Sequence, residues 1–198
     1  MPLIVDEVQG ALCRCGPMFA SEISGVEPEM IVLGKALGGG LPLSATIATE
    51  EYSDLLPWEY GFTQAGNPVA CAAALAMLEV MVRDDLPGNS ERMGALLVER
   101  LREIEKGSKL IGDIRAQGLM VGVELVRDRE TKEEAFAETD ALMAACLENG
   151  LMIGKTGPVF GSNGNVVKFK PAVNVGEDEI VEIAELFARS LAEVEATV

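Results

Sequence analysis

Ile31-Val32-Leu33-Gly34-Lys35-Ala36-Leu37-Gly38-Gly39-Gly40 is the stretch from which the rest of this 198-residue chain can be read. An apolar run, Met30 to Leu33, stops at a lysine, and three glycines follow almost at once. A short apolar run bounded by turn signals fits a strand buried on both faces, as in a parallel sheet. A lysine at the end of such a strand is costly to keep charged out of water, which makes it a candidate nucleophile. The glycines allow close approach of backbone, which suits a chain that must lie beside a ligand. The same pattern also fits a surface lysine between a strand and a flexible turn. A second stretch, nearer the N-terminus, bears on that choice.

Leu3-Ile4-Val5 is another continuous apolar run and ends in Asp6-Glu7. Asp6 and Lys35 therefore each close a predicted buried strand. In open parallel sheets ligands bind at the carboxyl ends of strands, so the two side chains can converge on one crevice. A carboxylate and an amine at one site are what pyridoxal phosphate requires. The lysine holds the aldehyde, and the carboxylate keeps the pyridine nitrogen protonated, so that the ring accepts electrons from a substrate α-carbon. Gln9 offers a neutral hydrogen bond to the ring's phenolic oxygen. Taken singly, Asp6 reads more simply as a strand-end turn residue or a metal ligand.

Composition narrows the chemistry further. A net charge of −16 speaks against nucleic acid, whose phosphates require clustered Lys and Arg. The absence of histidine removes Ser-His-Asp and Cys-His nucleophiles and the usual histidine-containing zinc sites. Cys13 and Cys15 form a lone C-x-C, while Cys71 and Cys146 sit in apolar helical settings, so reduced structural thiols are expected rather than a metal site. No apolar run is long enough to cross a membrane, and Met1 to Asp6 lacks the basic start of a signal peptide, so a cytoplasmic protein is expected.

Further along, Ser44 to Thr49 reads as a third strand and Pro57 to Gly66 as a polar and aromatic loop. Asn67 and Pro68 open a helix that runs to about Arg83. Asp84 to Gly88 breaks the pattern. A second helix, Asn89 to Lys106, carries its apolar stripe at Met93, Leu96, Leu97, Leu101 and Ile104. Strands are expected at Leu110 to Arg115 and Leu119 to Val126, around a Gln117-Gly118 turn, then a helix from Ala135 to Asn149. Short strands at Leu151 to Ile153 and Val166 to Lys170 precede a last helix, Glu177 to Val194, with acidic residues in its first turn. The fold class is α/β: part of a sheet domain over 1–105, then a small α+β lobe over 106–198.

Four motifs in order carry a resemblance. D-E-V-Q at Asp6 to Gln9, L-G-K-A-L-G-G-G-L-P-L at Leu33 to Leu43, T-Q-A-G-N-P-V-A-C-A-A-A at Thr63 to Ala74 and R-A-Q-G-L-M-V-G-V-E-L at Arg115 to Leu125 closely resemble the class III pyridoxal-phosphate aminotransferases of fold type I. The resemblance extends from Leu3 to the last helix. It implies a mainly parallel large-domain sheet and a small C-terminal domain. Lys35 would form the internal aldimine (a Schiff base) and shuttle protons, Asp6 would pair with the pyridinium, Val8 would pack on the ring, and Gln9 would reach the phenolic oxygen. Thr63 matches a residue that donates to the cofactor phosphate of a neighbouring subunit, implying a homodimer or higher homo-oligomer with shared sites. The substrates implied are an amino donor, an ω-amino acid or alanine, and a 2-oxo acid. Racemases and aminomutases share the same lysine and carboxylate.

The chain departs from the family in three ways. Lys168 stands where the family usually has the arginine that grips the substrate carboxylate, and lysine offers a point charge instead of a fork. Cys13 and Cys15 interrupt the usual glycine-arginine-threonine-glycine stretch and leave Arg14 and Gly16. The family's phosphate-holding serine-glycine turn and ring-stacking aromatic residue lie in an N-terminal half that has no counterpart here. The chain thus resembles the C-terminal half of such an enzyme, truncated and expected to be incomplete alone. The competing expectation is a noncatalytic α/β module that serves as an assembly or binding partner. The stretch Leu151 to Val167 looks most like the alanine–glyoxylate or aminobutyrate branch.

Overall fold

The computed structural model describes residues 1–56, 58–59, 61–157 and 164–197. The chain divides into two compact units, Met1–Gly88 and Asn89–Val198.

The first unit holds a three-stranded sheet in the order β1 (Ile4–Asp6), β2 (Met30–Leu33), β3 (Ala45–Ala48). β1 and β2 are parallel, with Asp6 opposite Val32. β2 and β3 are antiparallel, with Leu33 opposite Ala45. The expectation of a mainly parallel sheet is thus met by one pair only among the described residues. A parallel return needs a crossover of about a dozen residues or more, usually a helix. The link from β2 to β3 contains only a single 3₁₀ turn, Lys35–Gly38, and the glycine-rich run after it, so the chain doubles back. The apolar run of β1 reads by itself as buried on both faces, whereas in this chain Ile4 is 56% exposed, and so is Ile47 on β3 at 48%. Strands this short bring few side chains to either face, and the unit's long helix, α1 (Pro68–Arg83), packs on the 35–38 turn. Asn67 caps that helix, its Oδ1 accepting the Val69 and Ala70 amides at 3.0 and 3.3 Å.

α2 (Leu86–Gly107) begins three residues earlier than its apolar stripe indicates. Asp85 Oδ1 accepts the Gly88 amide at 3.3 Å, so Pro87 and Gly88 lie in the first turn. There a missing N–H costs nothing.

The second unit is built on a wholly antiparallel sheet in the order β4 (Ile111–Gln117), β5 (Met120–Leu125), β7 (Val166–Phe169), β6 (Gly154–Lys155). On β5, Val121, Val123 and Leu125 are buried while the residues between them are half-buried, the period-2 signature of a strand with one core face. Leu97 and Leu101 of α2, Leu142 of α3 (Phe136–Glu148) and Ile180 and Phe187 of α4 (Glu177–Glu195) close over that face. Each such side chain contributes about 1.5–3 kcal/mol of burial. Phe169 and Phe187 meet edge to face at 5.0 Å. The strand expected at Leu151 to Ile153 is absent, because the Leu151 amide donates to Cys146 O at 2.7 Å and closes the end of α3. The ladder starts instead at Gly154, opposite Lys168. Residues 158–163 of the glycine-rich loop lie outside the described residues.

Candidate active site

Lys35 follows β2 directly and opens the 35–38 turn. Gly34 is fully extended, and Lys35 takes φ +46°, a left-handed backbone uncommon for a residue with a side chain. Surrounding bonds impose it. The Leu37 amide donates to Gly34 O at 3.0 Å and the Gly39 amide to Ala36 O at 2.9 Å. Leu37 and Gly38 are buried. Gly39, at φ +58°, faces α1, where an added Cβ would make ordinary contact with Ala73 O at 3.6 Å.

Asp6, at the end of β1, is exposed, and its Oδ1 accepts the Val8 amide at 3.0 Å. The Glu7 amide donates to Val32 O at 3.0 Å, carrying the β1–β2 ladder one residue beyond Asp6. Val8 is half-buried against Gly34, where an added Cβ would stand 3.5 Å from Val8 Cγ1. Gln9 is exposed in the turn that follows. Asp6, Val8, Gln9 and Lys35 are therefore presented by the carboxyl ends of two adjacent parallel strands. They fit the ring end of pyridoxal phosphate: an amine in no ion pair among the described residues, a carboxylate with one oxygen committed to backbone, and an apolar side chain beside the lysine's strand.

An open cleft of about 680 Å³ takes in Lys35 with Val32, Pro42, Leu43, Ser44, Ala45, Thr46, Phe62, Gln64, Ala65 and Gly66. Lys35 is exposed there, although Leu33 and Gly34 just before it are buried, which corrects the expectation of a lysine drawn out of water. Asp6, Val8 and Gln9 are not among the cleft's walls, and neither is Thr63, which is exposed in the turn beside Phe62 and Gln64. Lys168 belongs to the second unit. It lies on β7 opposite Gly122 and Gly154, is half-buried, and lines a cleft of about 320 Å³ with Met152, Ile153, Lys170 and Pro171. Gly154 borders its stem, where an added Cβ would stand 3.9 Å from Lys168 Cε.

The cysteines are free. Burial pushes the Cys13 thiol up, and the charge of Asp85 adds to it. Burial raises Cys146 as well. Protonated, buried thiols are poor nucleophiles. Burial also lowers the Arg14 guanidinium, against the opposing charge of Cys15. Glu7, between Asp6 and Val8, is not among the residues to which the resemblance gives a role. It is 2% exposed, and its carboxylate accepts the Ser21 amide at 2.6 Å and the Ala20 amide at 3.1 Å. Its partners are backbone amides, which no residue type in the sequence announces.

Among the described residues no helix is long and apolar enough to cross a membrane. The sequence model of the aminotransferase class-III family matches residues 1–191. Leucine/methionine racemase of Thermococcus litoralis is 41% identical over 98% of this chain and 42% of its own length. Diaminobutyrate–2-oxoglutarate aminotransferase of Haemophilus influenzae is 36% identical over 96% of the chain and 42% of its own length. A solved Bacillus anthracis aminotransferase superposes with a TM-score of 0.90 at 34% identity, over 97% of this chain and 45% of that one. The chain thus spans less than half the length of each of these relatives. With the motif match running through both units, it belongs to the class III aminotransferase family.

Proposed function

We propose that this chain is the lysine-bearing part of a pyridoxal-phosphate-dependent aminotransferase, acting on an amino donor and a 2-oxo acid. The observation that carries the reading is the placement of Asp6 and Lys35 at the carboxyl ends of neighbouring parallel strands, with Val8 against Gly34. When bound, pyridoxal phosphate supplies an electron sink for charge released at the substrate α-carbon. The chain's own residues do the rest. Lys35 Nζ holds the cofactor and moves a proton to and from the reacting carbon. The Asp6 carboxylate, oriented by the Val8 amide, keeps a proton on the ring nitrogen. Val8 restrains the ring face, and Gln9 donates to the phenolic oxygen. Thr63, exposed on its turn, donates in this reading to a phosphate held by a second copy in a homodimer or higher homo-oligomer. Lys168 supplies a point charge for a substrate carboxylate, and an ω-amino acid or alanine is the proposed donor.

Residues 1–105 form part of the cofactor-binding large domain in this reading, and 106–198 the small domain. The chain needs further residues to hold the phosphate and has little activity alone. A second reading, amino-acid racemisation by the same Lys35 amine, is supported by the 41% identity to the leucine/methionine racemase.

Adding pyridoxal phosphate to the purified chain, reducing with borohydride and mapping peptides by mass tests the proposal. One stoichiometric adduct on Lys35, lost in Lys35→Ala, supports it. Adducts scattered over surface lysines, or none, would favour a noncatalytic module that serves assembly. Loss of the α-hydrogen of L-leucine in deuterated water without amino transfer would select the racemase reading.

A further inference from the structure

We infer that Glu7 is a positioning residue, whose buried carboxylate sets the orientation in which Asp6 and Val8 are presented beside Lys35; this rests on the cofactor reading above. Four bonds meet at this residue. Its amide donates to Val32 O at 3.0 Å, three residues before Lys35. Its carbonyl accepts the Ala11 amide at 3.1 Å. Its Oε1 accepts the Ser21 amide at 2.6 Å, and its Oε2 the Ala20 amide at 3.1 Å. A carboxylate that is 2% exposed is stable out of water only where donors surround it. Here they are backbone amides thirteen and fourteen residues away.

The arrangement leaves little slack. At Gly10 an added Cβ would stand 3.0 Å from Glu7 Oε2 and 2.9 Å from Ala20 Cβ. Glu7 is buried while Asp6 before it is exposed and Val8 after it opens the turn, so fixing Glu7 at both backbone and carboxylate fixes the chain on either side. Asp6 Oδ1 is then met by the Val8 amide, and Val8 lies beside Gly34. Among the described residues no hydrogen bond joins Glu7 to Lys35; it acts through its two sequence neighbours.

The test compares Glu7→Gln, Glu7→Asp and Glu22→Ala in the full 198-residue chain. Glutamine preserves shape but offers one acceptor to two amides, and aspartate keeps the charge on a stem one methylene shorter. Glu22 accepts the Phe19 amide at 2.7 Å in the same loop without touching Glu7, so its loss loosens the loop alone. Residue-level amide exchange is read first. Glu7→Gln should speed exchange at Val8, Ala20 and Ser21 by about tenfold and leave β4 and β5 unchanged. Lys35 labelling by pyridoxal phosphate and borohydride should fall severalfold in Glu7→Gln, less in Glu7→Asp, and not in Glu22→Ala. Unchanged Val8 exchange in Glu7→Gln would overturn the inference. So would equal losses in Glu22→Ala, which would make Glu7 a loop closure and no more. If the parent chain shows no selective Lys35 adduct, the cofactor reading fails, and exchange at Val8 still decides the positioning role.

Discussion

Gly94 of α2 lies against the Gly118 turn so closely that any Cβ on it would overlap the Gly118 carbonyl group. Helix and hairpin meet backbone to backbone, and neither partner is a flexible side chain that can step aside. Gly94→Ala should therefore destabilise the second unit by about 1–3 kcal/mol, although alanine is the better helix former. A fall in melting temperature of several degrees, followed by far-ultraviolet circular dichroism, is expected. An unchanged or higher melting temperature would mean that helix propensity outweighs the clash.

Lys35 makes the opposite case, because there the native residue is the strained one. Its φ of +46° costs a side chain of order 1 kcal/mol or more, and glycine would relieve that strain at some cost in chain entropy. Lys35→Gly should leave stability unchanged or raise it by up to about 1 kcal/mol, whereas Lys35→Ala should bring no relief. Urea titration of the three proteins separates these outcomes. A clearly destabilised Lys35→Gly would place the lysine among the residues that hold the fold.

Asp6→Asn tests charge apart from geometry. Asparagine's Oδ1 can still accept the Val8 amide, so the turn after β1 should survive. Loss of the charge should weaken pyridoxal phosphate binding by about tenfold to a hundredfold, measured by equilibrium dialysis. Equal binding by both proteins would take Asp6 out of the proposed site.

In the second unit, Arg127 Nε donates to Glu138 Oε1 at 2.7 Å and Nη1 reaches Glu133 at 3.3 Å. The Arg127 hydrogen bond holds the Glu138 carboxyl below the usual glutamate range, against the opposing effect of burial. As pH falls, the unfolded chain takes up this proton before the folded chain does. The pair's stabilisation is therefore whole above about pH 4.3 and fades as acidity passes down through the lowered folded value. Glu138→Gln should be less stable than the parent at neutral pH, and the two should converge in acid. Urea midpoints across this range measure the gap, and a gap that stays constant would show that Glu138 acts only by packing.

Local pattern was sufficient for much of this chain. Asn67-Pro68 marks the start of α1, the 3.6-residue stripe marks the buried face of α2, and the acidic first turn marks α4, because each signal is carried by residues within a turn or two of one another. That Asp6 and Lys35 stand at the ends of two strands was also legible, since each closes a short apolar run. Tertiary structure decided what depended on distant partners. Pro87 and Gly88 read as a break, but Asp85 caps them into α2. Leu151 reads as strand, but its amide is taken by the end of α3. The apolar run of β1 reads as buried, yet burial depends on the layers that cover a strand, and Ile4 stands open. Glu7 shows the same limit at the site: its partners Ala20 and Ser21 are backbone amides, which leave no mark in an amino-acid sequence.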